Sequence, residues 1–303
     1  MDAATACLLL SRAGFPTDAE GVSVTAREDR WAVLLPGDRM AWFPMNNVAS
    51  ARLATERRVL ALLASGCSFH VPRVVHADEA GWQLRALVPG VHDPWGMFRR
   101  VQSDRVLARR IGQALGRILA EQHTHIRRAD VAGWVPEKLS WPEPSEQLRD
   151  QLPRVVTDAA LLRVLESVVR RYEEQQHDLA PGECVLSHGD LGLHNVVFVP
   201  DADEVAGVFD YYGAAWADRH QDFRYLLLPG SADESMLNGA LEIYEPLLGL
   251  RLDRERIRLG NAACAIGFLG YRCGTPPEAV SCGRTLADDL HWVTHALRGL
   301  GLR

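Results

Sequence analysis

The stretch VLSHGDLGLHNVVF, residues 185–198, places a polar segment between two apolar runs. Asp190 and Asn195 lie in that segment, and each apolar run has the length and composition of a buried strand. Asp and Asn are common turn formers, so an ordinary turn between strands would explain this stretch taken alone. The residues that follow decide whether it has a chemical role.

A second acidic residue ends the next predicted strand. The run EVAGVFDYYG, residues 204–213, reaches Asp210 after its apolar residues, and the turn-forming VPDADE joins the two strands into a hairpin. The hairpin allows Asp190, Asn195 and Asp210 to meet at one edge. Amide and carboxylate oxygens are magnesium ligands, and a further carboxylate can orient a hydroxyl and accept its proton. A His-x-Asp-x4-Asn pattern followed by a strand and an Asp is typical of protein-kinase phosphoryl transfer.

The composition is that of an ordinary globular protein with room for two domains. The chain has 303 residues, of which 47% are hydrophobic and 24% charged, and its net charge is −6. An acidic balance argues against nucleic acid or an anionic membrane as partner. No apolar run reaches the roughly 18 residues of a membrane span, and the first residues lack a basic signal region, so we expect a cytoplasmic protein.

The cysteines are scattered without a Cys-x-x-Cys pair, which favours buried reduced thiols over disulfides or a zinc site. They are Cys7, Cys67, Cys184, Cys264, Cys273 and Cys282.

The order of predicted elements indicates an α+β fold. Three short strands between residues 21 and 45, a helix and two further strands form a small β-rich domain over residues 1–88. Helical periodicity dominates residues 89–303. Within them, the proline-rich residues 134–153 are predicted to form a surface loop.

The motifs SHGDLGLHN and GVFDYYGAAWADRHQDFRYL resemble those of the aminoglycoside phosphotransferase and choline kinase-like family. The resemblance implies a protein-kinase-like bilobal fold, with a nucleotide-binding N-terminal lobe at 1–88 and a helical C-terminal lobe at 89–303. It implies Asp190 as the catalytic base, with Asn195 and Asp210 as Mg²⁺ ligands. It also implies three supporting residues, His188, Asp218 and Asp222. His188 would brace the loop, and Asp222 would hold backbone amides.

The same resemblance implies a Lys or Arg on the third strand, paired with a helix Glu, to anchor nucleotide phosphates. Glu56 matches the Glu, although an acid on a solvated helix face paired with a nearby arginine would look the same. Trp42 stands where the cation is expected, and Lys138 is the single lysine of the chain. The candidate replacements are Arg27, Arg30 and Arg39. The segment LRALVPG is expected to hold the purine, its apolar slot shaped by Leu84, Ala86 and Val88.

The chain has no Gly-rich phosphate loop and no Ala-Pro-Glu motif, which favours a small-molecule kinase over a protein kinase. We expect transfer of the γ-phosphate of ATP or GTP to an antibiotic hydroxyl, by a monomer or a homodimer. The negative charge, and acid pairs at 173–174, 233–234 and 288–289, suggest a cationic small-molecule acceptor. The alternatives are a metabolic kinase for choline, ethanolamine, a sugar or an amino alcohol, and a nucleotide-binding pseudokinase that lost turnover with its lysine.

Overall fold

The computed structural model describes residues 1–231, 233–281 and 283–302. Cys282, one of the predicted reduced thiols, lies outside the described residues. Contacts divide the chain into two compact units. The first unit consists of Met1–His92 and Asn195–Tyr212, and the second of Asp93–His194 and Gly213–Arg303.

The strands are β1 (Ser23–Ala26), β2 (Arg30–Leu35), β3 (Arg39–Pro44), β4 (Arg73–Ala77), β5 (Gln83–Ala86), β6 (Cys184–Ser187), β7 (Val196–Phe198), β8 (Val205–Val208) and β9 (Ala215–Asp218). The α-helices are α1 (Ala3–Arg12), α2 (Asn47–Gly66), α3 (Pro94–Ser103), α4 (Arg105–His125), α5 (Arg128–Val131), α6 (Ser145–Gln151), α7 (Ala159–His177), α8 (Ser235–Leu248), α9 (Arg254–Tyr271) and α10 (Leu286–Gly299). A 3-10 helix over Arg219–Leu226 follows β9.

The first unit contains an antiparallel sheet of order β1-β2-β3-β5-β4. Successive side chains of a strand point to opposite faces, so Ala41 and its partner Leu84 lie on one face and Trp42 on the other. The Ala41 face forms a core with Ala6 and Leu10 of α1. This small antiparallel sheet with its helices confirms the predicted fold class.

The hairpin of β7 and β8 also belongs to the first unit, because both of its strands bond to it. Val91 pairs with Phe198, and His70 pairs with Gly207. A Cβ at Gly207 would lie 2.2 Å from the carbonyl oxygen of His70, so only glycine permits this approach. The contact units therefore differ from the 1–88 and 89–303 lobes, whose functional division stays a prediction.

In the second unit α4 packs closely against α8. A Cβ at Gly112 would lie 2.0 Å from the carbonyl oxygen of Met236, and one at Gly116 would lie 2.3 Å from that of Ala240. Larger residues at these two positions would force the helices apart. A separate core surrounds α9, where Ile266 packs with Trp292 among other buried residues.

The proline-rich segment is not the surface loop that the sequence suggested. It contains α6, whose Leu148 is 1% exposed and belongs to the core around α9. Trp141 packs on Phe268 with ring centroids 5.0 Å apart. The prolines misled the prediction because none of them interrupts α6: Pro153 follows the helix, and the other three precede it, where proline is tolerated.

Among the described residues, no helix is both long and apolar enough to cross a membrane.

Candidate functional site

The loop that carries Asp190 is held by a buried carboxylate, Asp222. β6 ends at Ser187, whose hydroxyl donates to Oδ1 of Asp222 at 2.7 Å. The backbone N–H of Gly189 donates to the same oxygen at 3.1 Å, and that of His188 donates to Oδ2 at 3.1 Å. Asp222 thus binds consecutive amides of this loop, the arrangement that the sequence suggested for it.

A histidine completes the surroundings of Asp222. His123 Nε2 lies 3.0 Å from Oδ2 of Asp222, and its Nδ1 lies 2.8 Å from the hydroxyl of Tyr244. Burial acts to raise the pKa of Asp222, but the bonds from His123 and Ser187 outweigh it and lower the pKa. The carboxylate is therefore ionised at neutral pH, and both of its oxygens accept hydrogen bonds.

Asp190 itself reaches solvent, since its side chain is 41% exposed. Its Oδ2 lies 3.2 Å from Nε2 of His194, and its backbone N–H donates to Nδ1 of the fully buried His188 at 3.3 Å. Burial acts to raise the pKa of Asp190, yet the charges of His194, His188 and Arg224 lower it. An ionised carboxylate on a braced loop can accept a hydrogen bond from a hydroxyl and then its proton.

A fully buried arginine also supports the loop that carries Asp190. Nη2 of Arg224 donates to the carbonyl oxygen of Gly189 at 2.5 Å. Gly189 has φ +82°, and a Cβ there would lie 2.6 Å from the carbonyl oxygen of Gly213, so the turn before Asp190 requires glycine.

Asp218, the other predicted supporting acid, bonds within the second unit. Its Oδ1 lies 2.6 Å from Nδ1 of His220, and its Oδ2 lies 3.0 Å from Nη2 of Arg256. These bonds outweigh burial and lower its pKa to about 2. The role visible for Asp218 is to anchor the 3-10 helix that contains Asp222.

The two predicted metal ligands lie at one end of the first unit's hairpin. β7 begins directly after Asn195, β8 ends two residues before Asp210, and the N–H of Phe209 donates to the carbonyl oxygen of Asn195 at 3.1 Å. Asn195 is buried, whereas the Asp210 side chain is 33% exposed. The backbone of Asp210 is left-handed at φ 65°. A hard oxygen pair at a backbone-fixed position fits magnesium.

Arg30 forms a cluster with Asp210 and two rings, Trp42 and Tyr212, which we term the Arg30 cluster. Nη2 of Arg30 lies 3.0 Å from Oδ1 of Asp210. The guanidinium carbon lies 4.5 Å from the ring centroid of Trp42 and 3.4 Å from that of Tyr212. Tyr212 donates to Asp29 at 2.8 Å, and burial together with this bond raises the pKa of Tyr212 to about 12.

Glu56 has a buried partner that the sequence reading missed. Nη1 and Nη2 of Arg85 donate to its two carboxylate oxygens at 2.8 and 2.6 Å, and both side chains are almost fully buried. The solvated-face explanation of Glu56 is therefore wrong. A signal was present, because a charged residue between apolar residues of a strand is rarely buried unless it is paired.

The other residues predicted to bind the nucleotide are not part of the Arg30 cluster. Arg27 is exposed, and Arg39, whose Nε donates to the carbonyl oxygen of Pro36, lies on the sheet face opposite Trp42. Leu84 is wholly buried in the core beside α1, and its part in holding the purine stays a prediction. Ala86 shares the face of Leu84 by alternation, and Val88 is 7% exposed beyond the strand.

The acid pairs that suggested a cationic acceptor are used for folding. Glu173 accepts from the backbone N–H of Ser145 at 2.7 Å, and Glu234 pairs with Arg258 at 2.9 Å. Asp289 is buried against two arginines, and its neighbour caps α10. These pairs give no support to a particular acceptor.

Comparisons with known proteins identify the family of this chain. The streptomycin 3''-kinase of Streptomyces griseus is 29% identical over 265 residues, which cover 80% of this chain and 91% of the relative. The GDP and kanamycin complex of APH(2'')-IIia matches the fold with a TM-score of 0.69 at 18% identity, covering 98% of this chain and 96% of the other. Macrolide 2'-phosphotransferase MphH from Brachybacterium faecium matches with a TM-score of 0.59 at 21% identity, covering 95% and 97%. A family model described as the phosphotransferase enzyme family matches residues 26–259, and the chain belongs to that family.

Proposed function

We propose that this phosphotransferase moves the γ-phosphate of ATP or GTP to a hydroxyl of an aminoglycoside, and so acts as a resistance kinase. The observation that supports this most directly is the loop that carries Asp190. Asp222 holds its backbone, and the ionised Asp190 side chain is partly exposed to solvent. Its similarity to a streptomycin kinase supports an aminoglycoside as acceptor. The net charge of −6 favours such a cation.

In this mechanism Asp190 orients the acceptor hydroxyl and takes its proton. The acceptor oxygen forms a bond to the γ-phosphorus as the bond to the β-phosphate oxygen breaks, and the nucleoside diphosphate leaves. The lowered pKa of Asp190 makes it a weak base, so the proton moves late, once bonding to phosphorus has acidified the hydroxyl. Orientation by the fixed loop is its larger contribution.

Asn195 and Asp210 would hold Mg²⁺ through their oxygens. The fit rests on the donor set, an amide oxygen and a carboxylate oxygen at a hairpin end fixed by the Phe209 hydrogen bond. When bound there, the ion would neutralise negative charge on the phosphates.

The acceptor is tested by measuring phosphate transfer with ATP and with GTP in separate reactions. Streptomycin, kanamycin, a macrolide, choline and a sugar are offered to the parent protein and to Asp190→Asn. We expect transfer to streptomycin or kanamycin that depends on Asp190, together with Asp190-dependent resistance in a susceptible bacterium. Rapid transfer to choline or the sugar, with no transfer to any antibiotic, would reassign the protein as a metabolic kinase.

A further inference from the structure

Arg30 carries an almost fully buried charge, and its guanidinium contacts two aromatic rings. Its side chain is 9% exposed, with its guanidinium over the rings of Trp42 and Tyr212. Stacking of this kind fixes the plane of a guanidinium and leaves its N–H groups free to bond in that plane. The rings therefore set the direction in which Arg30 can bind an anion.

The hydrogen-bonding capacity of Arg30 is only partly used. Its Nη2 meets one oxygen of Asp210, while its buried Nε has no hydrogen-bond partner among the described residues. The buried Nε of Arg85 also has no hydrogen-bond partner among the described residues, but both terminal nitrogens of Arg85 bind Glu56 in a bidentate pair. A guanidinium has five N–H donors, so Arg30 retains donors for a further anion, whereas the terminal groups of Arg85 are committed.

We propose that Arg30, carried on the ring of Trp42, is the cation that binds the nucleotide phosphates. The proposal rests on the proposed function, in which Asp210 is a magnesium ligand. Mg²⁺ held by Asp210 would complete its shell with phosphate oxygens, so a cation bonded to Asp210 lies close to where those oxygens would bind.

A partner exchange follows from the pairing. On nucleotide binding, Arg30 would release Asp210 and bond phosphate oxygen, and the Asp210 carboxylate would then be available to hold Mg²⁺. The buried Arg30 keeps a partner of opposite charge throughout, which avoids the large cost of isolating a charge away from water. Trp42 then has a positive role at the position where a lysine was expected, since its ring replaces the lysine stem as the support of the cation.

The test is calorimetric binding of a non-hydrolysable nucleoside triphosphate with Mg²⁺, and of the corresponding nucleoside, which has no phosphate. We expect Arg30→Gln to weaken triphosphate binding about 10- to 100-fold and nucleoside binding less than about twofold, because charge-assisted bonds to phosphate are lost. Arg30→Lys should recover part of the affinity by restoring the charge. Arg73→Gln, which removes an exposed arginine from the same sheet, is the matched control and should bind like the parent.

Unchanged or tighter triphosphate binding by Arg30→Gln would show that Arg30 only occupies Asp210, and would overturn the proposal. An equal loss for nucleoside and triphosphate would overturn it too, by showing a general structural role. If Trp42→Lys binds the triphosphate about tenfold or more tightly than the parent, the lysine was lost without a replacement, and the proposal is overturned. A parent protein that binds neither ligand refutes the proposed function itself, which separates that failure from a failure of Arg30.

Discussion

The loop at Asp190 and the Arg30 cluster hold their charged groups in different ways. In the loop, the wholly buried Asp222 accepts bonds from two backbone amides, a serine and a histidine, and these leave it little freedom. In the Arg30 cluster, one hydrogen bond joins Arg30 to a partly exposed Asp210, and the guanidinium packs on two aromatic rings. The bonds of Asp222 hold the loop in place, whereas the proposed exchange requires the Arg30 cluster to change partners. The four predictions that follow test this difference, from the largest expected effect to the smallest.

Asp190→Asn should keep the fold and the binding of magnesium nucleotide while kcat falls by at least about a hundredfold, the scale of a positioned general base. The loop is fixed by Asp222, so the substitution changes the chemistry and not the position of the side chain. Steady-state kinetics and calorimetry measure the two properties. Near-normal turnover by the folded variant would falsify the assignment of Asp190.

Asp222→Ala should lower the free energy of unfolding by about 3 kcal/mol, because it leaves buried donors of Ser187, His123 and the loop amides without an acceptor. Urea denaturation measures the change. Asp178→Asn, at an exposed position, is the control and should change stability by less than about 0.5 kcal/mol. Parent-like stability of Asp222→Ala would contradict the view of a rigid loop.

The pH dependence of stability should report Asp218. Its pKa is lowered from 3.8 to about 2, so its ionised form stabilises the folded protein above about pH 4, and this contribution is lost as the pH falls toward 2. The difference in unfolding free energy between the parent and Asp218→Asn should shrink by about 2 kcal/mol over that interval. Urea titrations at several pH values measure it, and a constant difference would show that Asp218 is not the group that titrates.

Asp210→Ala and Asn195→Ala should each weaken binding of magnesium nucleotide by about tenfold or more, because each removes an oxygen ligand from an ion with strict geometry. Calorimetric titration at several magnesium concentrations measures both affinity and metal dependence. If both variants match the parent in both respects, the two-ligand proposal fails and the hairpin has no metal role.

Local sequence pattern predicted much of the fold and one part of the site. The turn-forming residues between two apolar runs were enough to predict the β7–β8 hairpin, which places Asn195 and Asp210 at the same end. The bond between Arg85 and Glu56 joins residues on β5 and α2, and no local pattern encodes that approach. Arg30 and Arg39 were likewise indistinguishable until strand pairing assigned them to opposite faces.

The proline-rich segment shows the opposite error. Its prolines indicated a loop, but Leu148 and Leu152 carry α6 and the following turn into the core around α9. Burial of apolar side chains outweighed the local preference for irregular backbone. The acid pairs do not by themselves identify an acceptor, since charge alone does not distinguish a helix cap or a buried ion pair from a ligand contact.

The support of a buried arginine by Trp42 has a consequence for chemical probes. Reagents that label nucleotide-binding kinases through an amine require a lysine beside the phosphates, and residues 1–92 and 195–212 contain none. Such a reagent should find no lysine to label in the first unit. An inhibitor for this enzyme would gain selectivity over lysine-dependent kinases by presenting a flat anionic group to the arginine and an aromatic surface to the rings that hold it.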